Sequence, residues 1–372
     1  MIKSVITLCG DPGGAEALAP VLASLSVDAG IQLENFAYNE GVGVLTRHGI
    51  AHRAAGTVAE VIRSLTGTGA AMLLTATSCN DKNWERTAIA EARRRGIPSI
   101  AVLDFWSNYA ARFACGRGSP PIFPDLIVAM DERARLEMAA AGIPAEIIVV
   151  AGQPAFDDLA AERAGFTAGH RSQLREEQGV PSTAMVALFA SQPMQAATGE
   201  GPGFDELEVL AATVHAFESA IQSNGVRPWL VVRPHPRENC RKFADIRSDL
   251  VPVVVSSAGT GRQAAMAADL VVGMNSALLA EACFLGCAVI SLQPGLRGPD
   301  PLPTNAAGQS RAVYRKEDIP AVLLPYLLRE DVRRAAQRTA GASVPAGGAA
   351  ARIAALIRDR LFHPAFEPSS HP

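Results

Sequence analysis

Short, nearly continuous apolar runs alternate with amphipathic stretches along most of the chain, and turn residues separate them. The runs Val5 to Cys9, Leu33 to Tyr38, Ala71 to Thr75, Ser99 to Leu103, Leu126 to Met130 and Ile147 to Val150 have strand length. Between them, Ala15 to Leu25, Val58 to Leu65, Trp84 to Arg95 and Glu132 to Ala141 repeat their apolar positions at helical spacing. Strands apolar on both sides, spaced by helices, predict a parallel sheet covered on both faces. The pattern halts at Gly152-Gln153-Pro154. Ala160 to Gly179 is polar, rich in Arg and Glu, and predicts a linker with one helix. The alternation then restarts. Strands are predicted over Met185–Ala190, Trp229–Arg233, Val251–Val255, Leu270–Val272 and Ala288–Leu292. A Gly-rich loop, Ala197 to Gly203, precedes a helix to about Gln222. Further helices are predicted over Gly261–Ala267, Ala277–Leu285 and Glu317–Leu328, with a Pro- and Gly-rich loop from Gln293 to Ser310. Ile353, Leu356, Ile357 and Leu361 form one stripe of a last helix.

The expected class is therefore α/β, with two doubly wound parallel sheets facing a cleft. The expected boundaries are 1–155, a linker over 156–180, a second domain over 181–345, and a C-terminal helix and tail over 346–372. In such sheets ligands sit beyond the carboxyl ends of the strands, so the residues there are the ones to weigh.

A chain of 372 residues, 48% hydrophobic and 19% charged, can bury two cores of ordinary size. A net charge of −3 with no basic block argues against a general nucleic-acid binder. The six cysteines form no Cys-x-x-Cys pair, so reduced core thiols in a cytoplasmic protein are expected rather than a disulfide frame. The opening MIKSVITLCGDPGG has too short an apolar run for a signal peptide. Asp269 to Pro294 approaches the length of a membrane span, but its turn residues and Glu281 favour a buried βαβ unit. No transmembrane segment is expected, and peripheral membrane contact stays open.

Several strand ends carry candidate chemistry. Gly273-Met274-Asn275-Ser276 leads from a strand into a helix. A helix start offers unsatisfied N–H groups and the positive end of the dipole, so Gly273, Asn275 and Ser276 could cradle a phosphate; a plain helix cap is the alternative. Glu281, about one turn on, suits a ribose hydroxyl or else a wet helix edge. Arg233-Pro234-His235-Pro236-Arg237-Glu238 follows a strand, and its prolines hold His235 extended. That suits a fixed donor to a phosphate oxygen, helped by Arg233 or Arg237; a stiff surface turn is the alternative. Gly10-Asp11-Pro12-Gly13-Gly14-Ala15-Glu16 is a Gly-rich turn after the first strand. It matches neither a dinucleotide fingerprint nor a P-loop, and Asp11 or Glu16 could serve there as a base. Asp104, ending a strand ahead of Trp106, Asn108 and Arg112, could be a base beside a sugar site, or part of an aromatic corner filling the core. His48 and His52 are separated by Gly49 and do not predict a metal site. No Asp-x-Asp clamp occurs, so no metal is expected.

Together, the two α/β halves, the Gly-rich first turn and the Gly273-Met274-Asn275-Ser276…Glu281-Ala282…Leu285-Gly286 pattern resemble GT-B glycosyltransferases of the lipid A disaccharide synthase and MurG kind. His235-Pro236 is similar to the His-Pro motif of bacterial sialyl-, Kdo- and glycerophosphotransferases. The resemblance implies two Rossmann-like domains, the first on the acceptor side and the second holding the donor. It places the donor diphosphate on Ser276, the ribose on Glu281, the phosphate on His235 and the donor sugar on Gln293. Gly13, Gly14, Trp106, Asn108 and Arg112 would lie on the acceptor side. Ala15 stands where the MurG pattern has a histidine, so Asp11, Glu16 and Asp104 share the place of base.

The implied activity is a metal-independent, inverting transfer from a nucleotide-sugar, UDP ahead of CMP, to a hydroxyl of a glycan, lipid or small molecule in cell-envelope or surface polysaccharide synthesis. No cofactor is implied beyond the nucleotide-sugar substrate. Two alternatives accompany this expectation: a nucleotide-sugar 2-epimerase or hydrolase on the same fold, and a non-catalytic nucleotide-binding module.

Overall fold

The computed structural model describes residues 2–67, 69–114, 120–194, 203–342, 345 and 347–363. Its contacts gather the chain into two compact units, Met1–Asp157 with Ala346–Pro372, and Asp158–Pro345.

The first unit is built on β1 (Lys3–Cys9), β2 (Ile31–Ala37), β3 (Arg53–Ala54), β4 (Met72–Ala76), β5 (Ser99–Val102), β6 (Leu126–Ala129) and β7 (Ile148–Val150). They run parallel in the order β3-β2-β1-β4-β5-β6-β7. β4, β5 and β6 are buried along their whole length, which is why they read as unbroken apolar runs. One face is covered by the helices Pro12–Ser26 and Ala349–Phe362, the other by Val58–Gly67 and Trp84–Arg94. The last helix is fixed at its start by Asp157, whose carboxylate accepts the N–H groups of Ala349 and Ala350 at 2.9 and 2.8 Å. Arg358 pairs with Asp28 at 2.8 Å. Pro12 at the first helical position starts the opening helix three residues earlier than its apolar period suggests.

The second unit contains β8 (Val186–Ala190), β9 (Trp229–Arg233), β10 (Val253–Val255), β11 (Leu270–Gly273), β12 (Val289–Leu292) and β13 (Arg311–Val313). These also run parallel, in the order β10-β9-β8-β11-β12-β13. Residues 156–180, read from the sequence as a linker with one helix, contain the helices Leu159–Gly165 and Ala168–Glu177. Their polar composition has a structural cause: Arg171 and Arg175 pair with Asp269 at 2.5 and 2.8 Å. β13, the short helix Pro303–Ala306 and the helix Glu330–Ala340 had no clear apolar signature and were not predicted. The Gly-rich loop predicted over Ala197–Gly203 lies, apart from Gly203, outside the described residues, as does the tail beyond residue 363.

Strand order reverses between β1 and β4 in the first unit and between β8 and β11 in the second. The loops after those four strands line the two switch points where ligands gather in this architecture. At the second of them Gly273 is required by packing. A β-carbon there would stand 2.7 Å from Leu279 Cδ1 and 2.8 Å from the Ala190 carbonyl. Gly273→Ala is therefore expected to destabilise the protein by about 1–3 kcal/mol, the usual cost of overpacking. The check is a lowered urea midpoint at unchanged slope; a wild-type midpoint would contradict this packing.

Candidate functional site

In the second unit, Ser276 has the extended backbone of an N-cap, and the helix Ala277–Phe284 starts behind it. Its side chain makes no cap bond, and its hydroxyl is buried without a hydrogen-bond partner. A hydroxyl removed from water and left unpaired is unfavourable, so the plain-cap alternative does not describe it. Beside it, Asn275 donates to Gln293 at 3.0 Å, Gln293 to Ser291 at 3.0 Å, and Ser291 to the Met274 carbonyl at 2.5 Å. This chain fixes the turn between β11 and the helix. It also encloses Gln293 completely, with both ends of its amide engaged inside the unit. The structure therefore gives Gln293 the work of shaping the turn, not a face toward a donor sugar.

His235 follows β9, on the other side of β8. Its Nδ1 accepts the Arg237 N–H at 3.1 Å, so the ring proton resides on Nε2, and the neutral ring is a donor there. Burial, followed by the charge of Arg237, lowers the imidazole to about 4. The His235 N–H donates to Glu238 at 2.7 Å, and Glu238 also accepts the Ser191 hydroxyl at 3.1 Å. Ser191 is the first residue beyond β8. Lys242 pairs with Glu238 and, at 2.6 Å, with Glu206, whose other oxygen accepts the Met194 N–H at 3.0 Å. Glu238 thus ties the His-Pro turn to the end of β8, so Ser191, His235 and Ser276 belong to three neighbouring strand ends. The sequence named Glu238 only as a flank of the motif. Its spacing of three from His235 was the available signal.

Two other expected donor residues have protein partners. The Arg233 guanidinium donates to the Ala258 and Gly259 carbonyls at 2.9 and 2.8 Å and so braces the loop after β10. Glu281 pairs with Arg262 at 3.0 Å, and Arg262 with Glu162 at 2.6 Å. The carboxylate in an apolar helix is thus satisfied by an arginine from the preceding βα unit rather than by water.

In the first unit, the glycines of the opening turn admit protein groups. A β-carbon at Gly13 would collide with Asp104 Oδ2, and one at Gly14 would lie 2.6 Å from Ala76 Cβ. Asp104 pairs with the buried Arg112, which also donates to Thr77 at 2.7 Å and to the Ser107 carbonyl at 3.0 Å. Asp11 accepts the Cys79 N–H at 3.0 Å and the Asn80 amide at 2.9 Å. Asp11, Gly13, Gly14, Asp104 and Arg112 therefore converge on the β1/β4 switch point.

Glu16 lies one turn further into the helix, paired with His48 at 2.6 Å and Arg47 at 3.1 Å. Partial burial raises its carboxyl, but the His48 and Arg47 contacts outweigh that and hold it low. His48 thus has a carboxylate partner. Trp106 is buried, donates to Asp131 at 2.8 Å and stacks on Phe156 at 6.1 Å, which makes it the aromatic corner rather than a sugar platform. Asn108 is exposed in the left-handed region, with φ 58°, and its carbonyl accepts the Arg112 N–H at 3.0 Å.

Among the described residues, no group of three or more His, Cys, Asp and Glu side chains could hold a metal ion, and no helix is long and apolar enough to cross a membrane. The five cysteines described there are free thiols.

The geometry of His235 has a measurable consequence. Its folded-state value lies below the ordinary one, so its neutral form favours the fold above pH 6.5, and that contribution is lost as pH falls toward 4. Its ring proton resonances should hold steady from pH 8 to about 5. A His235 titration near 6.5 would contradict its placement.

No family model matches the chain, and no curated protein matches it in sequence. Solved structures match it over its length. A putative UDP-N-acetylglucosamine 2-epimerase from Listeria monocytogenes has a TM-score of 0.68 at 17% identity, covering 100% of this chain and 99% of that one. UDP-GlcNAc 2-epimerase from Neisseria meningitidis bound to UDP-GlcNAc gives 0.68 at 16% identity, over 96% and 100%. S. aureus MnaA with UDP gives 0.70 at 16% identity, over 100% of both chains. These neighbours overturn the expectation of a glycosyltransferase and of a transferase class. The physical reason is that a helix-start turn and a His-Pro turn at strand ends carry no information on which sugar bond is changed, and the fold is shared by enzymes of different classes. The fold itself is settled: two parallel-sheet α/β units of the GT-B type.

Proposed function

We propose that the chain binds a UDP-sugar and changes it at C2, as a nucleotide-sugar 2-epimerase or hydrolase. The observation that carries this reading is the meeting of Ser276, Ser191 and His235 at adjacent strand ends, in a fold whose solved counterparts include 2-epimerases holding UDP-GlcNAc. In this reading the N–H groups at the Ser276 helix start and the Nε2–H of His235 take the diphosphate oxygens. The turn's likeness to the donor motif of MurG-like enzymes supports the same assignment. Glu281 would receive the ribose in competition with Arg262. Because His235 is neutral, its contribution is a directed hydrogen bond, and it keeps that bond across the physiological range.

Chemistry at C2 requires the C2 proton to leave while its electron pair expels the diphosphate from C1, and a proton to return to C2 as the diphosphate or water adds back at C1, so acid–base groups are needed beside the sugar. Asp11 and Asp104 are our choices. Both lie at the switch point of the first unit, and both are held by hydrogen bonds that fix their direction. Glu16, engaged with His48 and Arg47, is the weaker choice.

The test joins binding to turnover. UDP should raise the melting temperature, and His235→Ala and Ser276→Ala should each weaken UDP binding by about tenfold, the scale of one hydrogen bond to a charged group. Incubation with UDP-GlcNAc in D2O should place deuterium at C2 or release UDP. Binding without either change would leave a nucleotide-binding module, and absence of binding would overturn the reading altogether.

A further inference from the structure

The helix Trp84–Arg94 carries, in its first turn, a carboxylate that none of the roles above uses. Glu85 is 2% exposed. Its Oε2 accepts two short hydroxyl bonds, from Tyr38 at 2.5 Å and from Ser78 at 2.6 Å. Its Oε1 is enclosed without a partner. Among the described residues, no cation pairs with it. Tyr38, itself 1% exposed, stands 3.0 Å from the Asn80 amide nitrogen and 3.3 Å from its oxygen. The same amide nitrogen donates to Asp11 at 2.9 Å. One buried carboxyl thus anchors a chain of contacts that reaches the mouth of the β1/β4 switch point.

We infer that Glu85 is a positioning residue for Asp11: through Tyr38 and Asn80 its carboxyl sets how Asp11 is held, and its protonation reverses that hydrogen-bond chain. The inference rests on the proposed role of Asp11. When Glu85 is ionised, Tyr38 and Ser78 both donate to it, and the Tyr38 oxygen accepts from the Asn80 amide. When Glu85 carries a proton, the carboxyl becomes a donor. One hydroxyl must then turn away, and Tyr38 turns toward the Asn80 oxygen. The amide nitrogen is left to Asp11 alone.

The proton belongs to the pH range where this matters. Burial raises the Glu85 carboxyl to about 7, against the hydrogen bonds of Ser78 and Tyr38 and with help from the charge of Asp11. The groups facing it are few. Cys9 on β1 is itself held as a thiol by burial and by the charge of Glu85. Tyr38 follows β2, and Lys82 lies over the rings of Tyr38 and Trp84 at 5.5 and 4.9 Å. The helix Val58–Gly67 brings only the apolar Val61 and Leu65 to this core. Since the folded value is raised, the acid form favours the fold. That contribution is complete below about 4.5 and is lost as pH rises through about 7.

Trp84 packs against Tyr38 with ring centroids 4.4 Å apart and the rings tilted by 34°, so its fluorescence reports the turn of the hydroxyl. Titrating the ligand-free protein from pH 5.5 to 8.5 should give a step centred near 7. The step should vanish in Glu85→Gln and in Trp84→Phe, and it should move to lower pH in Asp11→Asn, which removes the charge that helps to raise Glu85. A step retained in Glu85→Gln, or a midpoint unmoved in Asp11→Asn, would overturn the inference. Tyr38→Phe, which lacks the hydroxyl link, is the second variant should Glu85→Gln not fold; it too should lose the step. With turnover on a UDP-sugar, the limb of the kcat profile near pH 7 should disappear in Glu85→Gln while KM holds, and an unchanged limb would overturn the positioning role. If no UDP-sugar binds or turns over, the proposed function fails, while the fluorescence steps still decide the chain from Glu85 to Asp11.

Discussion

The carboxylate of Asp269 holds the starts of the two strands that flank the second unit's switch point. It accepts the Val186 N–H at 2.8 Å, the first residue of β8, from a position just before β11. Arg175, buried, and Arg171 pair with it, and Arg175 also donates to the carbonyls of Ala267, Ser182 and Ala184 at 2.9 Å each. Burial opposes ionisation of Asp269, but the Val186 bond and the two arginines hold its carboxyl below the ordinary range. With the starts fixed, the register from Leu270 opposite Ala187 to Gly273 opposite Ala190 determines where the strands end. Ser191 and Met274 emerge side by side for that reason. A slip of one residue would turn every side chain of the strand to the opposite face.

The two switch points handle exposed polar groups differently. In the first unit the glycine turn closes on protein atoms, and Asp104 and Arg112 neutralise each other over it. In the second, the Ser276 hydroxyl at a helix start is buried without a hydrogen-bond partner, and a neutral imidazole follows the strand on the other side of β8. That asymmetry is what the proposed division of labour, anion binding in the second unit and acid–base chemistry in the first, rests on. The buried carboxylates Glu238 and Glu85 perform parallel tasks: each lies behind its rim and fixes a side chain that faces it.

Strands covered on both faces leave an unmistakable trace in a sequence: β4, β5, β6, β8, β11 and β12, buried along their whole length, all read as unbroken apolar runs. Trp229–Arg233 and Gly261–Ala267 were legible residue for residue, whereas Arg53–Ala54 and Arg311–Val313, short and polar at the edges, were not. At the site, Ser276 and His235 were legible because turn chemistry and prolines mark strand ends. The partners of Glu281 and Arg233 were not, since Arg262 and the Ala258 carbonyl become neighbours only once the βα units pack. Trp106 and Gln293 show the converse: a residue type suited to sugar contact can be needed for packing, and only burial tells the two apart.

The helix Ala349–Phe362 completes the core of the first unit, with Ile353, Ile357 and Leu361 set among residues of the opening helix and sheet. During synthesis the first unit therefore waits, with one apolar face uncovered, until the whole second unit has been made. The unit that begins the chain is the last that can finish folding, and its uncovered face is what a chaperone would meet on the nascent chain.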